Sequence, residues 1–253
     1  MKTREFATVI HQKEIASGIN SLLLYTEKIA KEAVPGQFVS VYCKDGSRIL
    51  PRPISICESE KKIGLLRLVY RTAGKGTEEL SRLSSGDQAE LVGPLGNGFP
   101  LIDKKAFLIG GGIGIPPMVQ LLKELKGEVQ IIAGYKDEVF LTEELNRRGN
   151  LYIATEDGST GIKGNVLDAI RENGLTADLI YACGPKPMLK AIQAYARENE
   201  IECYISLEER MACGIGACLS CVCETKEMDA HTRVNKKRIC KDGPVFLSTE
   251  VEL

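Results

Sequence analysis

Residues 213–223 read Cys213-Gly-Ile-Gly-Ala-Cys218-Leu-Ser-Cys221-Val-Cys223, and Cys240 follows in Arg238-Ile-Cys-Lys-Asp. Cys213, Cys218 and Cys221 are spaced C-x4-C-x2-C, with Cys240 as a distant fourth thiol. That is the plant-type pattern for a [2Fe–2S] cluster, in which a short loop wraps one side and a remote residue closes the other. Gly214, Gly216 and Ala217 lack bulk, so backbone N–H groups can approach the sulfurs and stabilise their charge. Zinc is the main rival, because four thiolates also make a tetrahedral structural site. Zinc sites usually pair two C-x2-C units, which C-x4-C matches poorly. Cys223 is a surplus thiol.

The remaining cysteines fit the same view. Nine in a chain with no apolar leader point to metal and redox chemistry rather than disulfides. The start, Met1-Lys-Thr-Arg-Glu-Phe, has no signal-peptide core, and no run of 18 apolar residues is present, so a cytoplasmic protein without a membrane span is expected. The formal charge of −1 argues against nucleic acid as a partner. Lys236-Lys237-Arg238, the one run of three basic residues, reads as a solvated face.

Up to about residue 100 the chain reads as β. Phe6–Ile10, Asn20–Tyr25, Gln37–Tyr42, Ile63–Arg71 and Ala89–Val92 are runs of β-formers. Pro35-Gly36, Lys44-Asp-Gly46 and Ser85-Gly-Asp87 separate some of them as turns. Short strands with partial alternation predict a small antiparallel barrel. One helix from Thr77 to Leu83 interrupts it, with Thr77 as N-cap and Gly86 past its end.

Beyond residue 100 strands alternate with helices. Ala106–Gly110 leads through Gly111-Gly-Ile-Gly114 into a helix opened by Pro116-Pro117, where missing N–H groups cost little. Strand-like Val129–Gly134, Leu151–Thr155, Leu179–Cys183 and Cys203–Leu207 alternate with helix-like Leu141–Leu145, Asn165–Ile170 and Met188–Ile192. That rhythm predicts a parallel sheet covered on both faces. The expected units are 1–100, 101–209 and a cysteine-rich 210–253.

Four further elements carry candidate chemistry. The loop Gly110-Gly111-Gly112-Ile113-Gly114 sits between strand and helix, where backbone amides can meet a pyrophosphate. It departs from G-x-G-x-x-G at Ile115, and a tight turn with packing glycines remains open. Gly74-Lys75-Gly76-Thr77 can hold a second pyrophosphate or simply start a helix. Arg52-Pro53-Ile54-Ser55 combines a planar phosphate fork with a strand-borne hydroxyl. Cys183-Gly184-Pro185 stands at the carboxyl end of a parallel strand, where ligands of such sheets bind, although Cys183 can equally be a small buried residue.

In order and spacing these elements resemble the ferredoxin–NADP reductase superfamily over essentially the whole chain. The cysteine loop, Gly93-Pro-Leu-Gly-Asn-Gly98 and Lys241-Asp-Gly-Pro-Val-Phe narrow the resemblance to the family of type B dihydroorotate dehydrogenase electron-transfer subunits. The resemblance implies an antiparallel FAD-binding β-barrel, a parallel-sheet NAD-binding α/β domain and a small C-terminal [2Fe–2S] domain. It implies that Arg52 meets the FAD phosphates, that Pro53, Ile54 and Ser55 line the isoalloxazine with Ser55 near N5, and that Val69, Tyr70 and Arg71 contact the ribityl and adenylate portions. Gly76 and Thr77 would meet the pyrophosphate. Gly110, Gly111, Gly112, Gly114, Cys183, Gly184 and Pro185 would position NAD(H), with Cys183 near the nicotinamide. Cys213, Cys218, Cys221 and Cys240 would hold the cluster.

It further implies an FMN-containing catalytic partner that oxidises dihydroorotate, two copies of each subunit, and electrons running through FMN, cluster and FAD to NAD+ in pyrimidine biosynthesis. The wider superfamily places an aromatic residue at the position of Ile54 and often another at the end of the chain; both are absent. Asp137 and Glu138 after the second parallel strand would repel a 2′-phosphate and favour NAD, while Arg147 and Arg148 lie close by in sequence. Two alternatives stand beside this one. The first is the similar subunit of an NADH-dependent ferredoxin:NADP oxidoreductase or sulfide dehydrogenase. The second is a zinc-stabilised nucleotide-binding module without redox function. His231, between the third and fourth cluster cysteines, reads as a loop residue.

Overall fold

The computed structural model describes residues 2–148, 150–226, 228 and 234–253. Six strands close an antiparallel barrel in the order β1-β2-β5-β4-β3-β6. They are β1 (Thr3–Ala16), β2 (Ile19–Tyr25), β3 (Phe38–Tyr42), β4 (Arg52–Glu60), β5 (Leu65–Arg71) and β6 (Gln88–Leu95). Short helices α1 (Ile29–Glu32) and α2 (Lys75–Leu80) fill two of the connections. Closure removes the exposed strand edges that an open sheet would present. Leu22, Leu24, Val39, Val41, Ile56, Leu66, Leu68 and Leu91 fill the interior, each 0–1% exposed, and full burial of such a side chain stabilises by about 1.5–3 kcal/mol.

The second half is an α/β layer. Its strands are β7 (Ala106–Gly111), β8 (Val129–Tyr135), β9 (Leu151–Thr155), β10 (Ile162–Lys163), β11 (Leu179–Cys183) and β12 (Glu202–Ser206). Helices α3 (Pro116–Glu124), α4 (Thr142–Leu145), α5 (Val166–Glu172) and α6 (Lys186–Glu198) connect them. Neighbouring strands run parallel in the order β10-β9-β8-β7-β11-β12. β7 is the central strand, and all six of its residues are buried, as a strand covered on both faces requires.

The tail returns to this sheet. After a small hairpin, β13 (Val222–Glu224) with β14 (Lys236–Arg238), and helix α7 (Ile239–Asp242), strand β15 (Val245–Leu247) adds antiparallel to β12. Among the described residues no helix is long and apolar enough to cross a membrane.

Barrel and sheet are joined along β4 and α3. The Ser59 N–H donates to Gln120 Oε1 at 2.9 Å. Glu58 accepts from Arg67 at 2.8 Å and from Lys123 at 2.6 Å, and the same Arg67 reaches Glu144 at 2.8 Å. Burial alone would raise the Glu58 carboxyl, but Lys123 and Arg67 more than offset it and hold it below the usual range. Removing one partner from such a half-buried cluster leaves an uncompensated charge and is costly. β4 therefore carries Arg52–Ser55 at one end and the clamp to the second domain at the other.

Candidate functional site

A cavity of about 780 Å³ opens between barrel and sheet, within the usual size of cofactor pockets. It brings together Arg52, Pro53, Ile54, Ser55, Val69, Tyr70 and Arg71. Sheet register explains the grouping, since Phe38 lies opposite Ser55 and Ser40 opposite Pro53 across β3 and β4. Tyr70 takes a hydrogen bond from Gln12 Nε2 at 2.9 Å, and burial pushes its phenol up to about 12. Its hydroxyl therefore stays neutral and fixed.

Next to it lies a cavity of about 570 Å³ bordered by Arg48, Arg52, Lys75, Gly76 and Thr77. Arg52 and Ala73 border both. One compartment is wide and largely apolar, the other cationic, and they meet at an arginine. A dinucleotide with a flat ring system and a pyrophosphate fits that division. A Cβ on Gly76 would collide with the Arg52 guanidinium, so this glycine lets the arginine lie across the turn. Arg48, absent from the sequence reading, is held by Glu79 and by Asp45 at 3.4 Å.

Thr77 differs from expectation. The N-cap of α2 is Gly74, and Thr77 occupies the third helical position. Its hydroxyl accepts from the Ala73 N–H at 2.9 Å and donates to the Gly74 carbonyl at 2.9 Å, so it braces its own turn. The helix also ends at Leu80, well short of Gly86.

The glycine loop after β7 is mainly a packing device. A Cβ on Gly110 would stand 2.9 Å from Ile115 Cα, one on Gly111 would strike Met188, and one on Gly114 would strike the Cys183 carbonyl group. Gly112, at φ +52°, faces open space. Cys183 is 1% exposed, and burial pushes its thiol far up. Gly184 and Pro185 border a third cavity of about 450 Å³, shared with Val222, Cys223 and Ile239. Leu207, Glu208 and Glu209 line both this cavity and the large one, so the two adjoin.

The segment 206–211 leaves β12 as a wall of the large cavity and runs directly into Cys213. Gly214 and Gly216 adopt φ of +67° and +88°, the left-handed region where glycine carries no Cβ penalty. The Ala217 and Cys218 N–H groups donate to Cys213 Sγ at 3.3 and 3.4 Å, and the Cys240 N–H donates to Cys221 Sγ at 3.4 Å. Burial raises the Cys213 thiol, but N–H donors from Ile215, Cys218 and Ala217 outweigh it and lower the thiol to about 6. The Cys218 thiol lies against Cys213, and the Cys221 thiol against Cys240.

The donors thus form two contacting pairs. Among the described residues no three His, Cys, Asp or Glu side chains form a group suited to one metal ion. Two pairs suit a two-iron cluster, which takes two thiolates per iron, better than a single tetrahedral zinc. Arg238 Nη1 donates to the Gly216 carbonyl at 3.1 Å and holds the loop to α7. Cys223 Sγ instead donates to the Lys237 carbonyl at 3.5 Å, outside the ligand set. His231 lies outside the described residues.

Known proteins match this arrangement. The family model "Iron-sulfur cluster binding domain of dihydroorotate dehydrogenase B" matches residues 208–252, and "Oxidoreductase NAD-binding domain" matches 108–194. The dihydroorotate dehydrogenase B (NAD(+)) electron transfer subunit of Geobacillus thermodenitrificans is 42% identical over 260 residues, covering 99% of each chain. Its counterpart in Listeria monocytogenes is 44% identical, covering 97% of each. The solved structure of an NADH-dependent reduced ferredoxin-NADP oxidoreductase superposes with a TM-score of 0.86 at 29% identity, covering 98% of this chain and 90% of that one. Identity of this order along the full length shows that the chain belongs to the dihydroorotate dehydrogenase B (NAD(+)) electron transfer subunit family.

Proposed function

We propose that this chain passes electrons between an FMN-containing dihydroorotate dehydrogenase catalytic subunit and NAD+, through a [2Fe–2S] cluster and FAD. The observation that carries the reading is the continuity of segment 206–211, which walls the large cavity and leads straight into the cysteine loop. A bound FAD would supply the change between two-electron hydride chemistry and one-electron transfer. The protein's part is orientation and charge.

Arg52, at the junction of the two cavities, binds phosphate. Pro53, Ile54 and Ser55 would hold the isoalloxazine edge, with Ser55 toward N5, and Val69, Tyr70 and Arg71 would contact the ribityl and adenylate portions. Gly76 lets the arginine approach, and Thr77 stiffens the pyrophosphate turn. NAD(H) enters at Gly112, Gly184 and Pro185; Gly110, Gly111, Gly114 and Cys183 shape that site from behind. Arg148 is turned inward to the Leu125 and Gly127 carbonyls, and Arg147 reaches toward Glu58 at 3.4 Å. Arg148 is thus committed to backbone carbonyls rather than to a 2′-phosphate, which supports NAD.

In this reading residues 1–100, 101–209 and 210–253 serve FAD, NAD(H) and the cluster in turn. The chain works in the cytoplasm as two copies with two catalytic partners. Ile215 and Leu219, 47% and 63% exposed beside Cys218, offer that partner an apolar edge. The test is isolation of the chain with its companion under anaerobic conditions, assayed for dihydroorotate-dependent NAD+ reduction. Activity with an FMN-bearing companion is expected. A coloured, NADH-reducible complex that lacks it but reduces ferredoxin would move the chain to the ferredoxin-linked role of its structural neighbour.

A further inference from the structure

Ser40 is a buried hydroxyl with nothing to bond. It lies on β3, is 1% exposed, and its Oγ has no hydrogen-bond partner among the described residues. Buried hydroxyls are almost always satisfied, and one that is not calls for an explanation in what the site takes up. Its neighbours say where that acceptor belongs. Across the β3–β4 pair Ser40 stands opposite Pro53, and two residues earlier Phe38 stands opposite Ser55. Directly opposed side chains share a sheet face, and Phe38, Pro53 and Ser55 all line the large cavity.

On its other side Ser40 meets the cysteine loop. A Cβ built on Gly214 would stand 2.7 Å from Ser40 Oγ and 4.0 Å from Ser40 Cβ. Gly214 follows Cys213 directly, and its φ of +67° folds the loop down onto the strand. The Ala217 and Cys218 amides serve Cys213 Sγ from within the loop. Ser40, on the barrel's β3, stands against Gly214, the residue next to that cysteine.

We propose that the Ser40 hydroxyl donates a hydrogen bond to cluster sulfur at the Cys213 end and so sets the potential at which the cluster exchanges electrons with the flavin. This rests on the cluster reading above. A donor aimed at sulfur stabilises the electron added on reduction and raises the midpoint potential. Ser40 thus acts on the cluster by its hydrogen bond alone, and no covalent bond is made or broken at it. Its place between the flavin cavity and the loop makes it the barrel's own contribution to the cluster's surroundings.

The experiment compares the wild-type holoprotein with Ser40→Ala and Ser40→Thr, each carrying FAD and cluster. The cluster midpoint is read by EPR-monitored titration, and exchangeable protons on the reduced cluster by pulsed EPR in H2O against D2O. Ser40→Ala is expected to lose one exchangeable coupling and to shift the cluster midpoint negative, with the flavin midpoint unmoved. Ser40→Thr, which keeps the hydroxyl, is expected to restore both. A wild-type midpoint and full couplings in Ser40→Ala would overturn the inference, and so would a shift confined to the flavin. Should Ser40→Ala fail to retain its cluster, the wild-type spectrum decides, since absence of the coupling there overturns the proposal equally. A wild-type chain that binds FAD but shows no iron–sulfur absorbance would instead sink the cluster reading itself.

Discussion

Two cysteine environments in this chain stand at opposite extremes, with Cys240 of the tail, 1% exposed and raised to about 12 by burial and by Cys221, on the buried side. Cys57, Cys183 and Cys203 sit on strands or at their ends, 0–1% exposed, and burial drives each thiol upward, that of Cys203 to about 12. Cys213 sits on a glycine-rich loop where amide donors lower it to about 6. The side chain is the same, but its surroundings differ. A strand commits its N–H groups to the neighbouring strand, leaving sulfur apolar surroundings and at most a serine hydroxyl, Ser206 for Cys183 and Ser248 for Cys203. A loop bent by left-handed glycines turns its N–H groups inward and makes a thiolate nest. Reactivity here is a property of the backbone.

The sharpest way to break this contrast is to exchange serine for cysteine in each region. Cys221→Ser should abolish most of the bound iron and visible cluster absorbance, whereas Cys203→Ser should keep both; equal loss, measured by iron analysis, would erase the distinction. Next in size, Gly216→Ala forces a Cβ into φ +88° and to 2.7 Å from Lys241 Cδ, a strain of about 1–3 kcal/mol. Its cluster should bleach faster under a chelator, timed by absorbance.

In metal-free protein, Cys213 should be alkylated half-maximally near pH 6, with the core thiols silent until the chain unfolds, as mass spectrometry of labelled peptides would show. The sign follows from the lowered value. Its stabilisation of the metal-free fold is fully present above the ordinary value of 9.0 and is lost as pH falls through about 6. Cys57→Ala should be the mildest, costing about 1 kcal/mol as a small apolar truncation, read from a denaturant midpoint.

Legibility in the sequence followed the same divide between side chains and backbone. The iron–sulfur domain could be read because thiol spacing is itself the signal. The alternation of strands and helices after residue 100 was equally plain, since buried parallel strands such as Ala106–Gly111 are continuous apolar runs. β4 was harder to delimit because Pro53 interrupts its pattern, and β13 to β15 are only three residues each. The glycine loop misled in part, since three of its glycines make room for protein atoms rather than for phosphate. Thr77 carried the composition of an N-cap but acts from inside the helix. Arg48 and the wall at 206–211 had no motif to mark them, because their role depends on which strands the barrel and sheet bring side by side.

Strand β15 begins five residues after Cys240 and is zipped to β12 at the rim of the nucleotide sheet. Cys240 is therefore tethered on a very short leash to the sheet's outermost rung. A load placed on that thiol is borne within five residues by this rung, at the rim of the sheet.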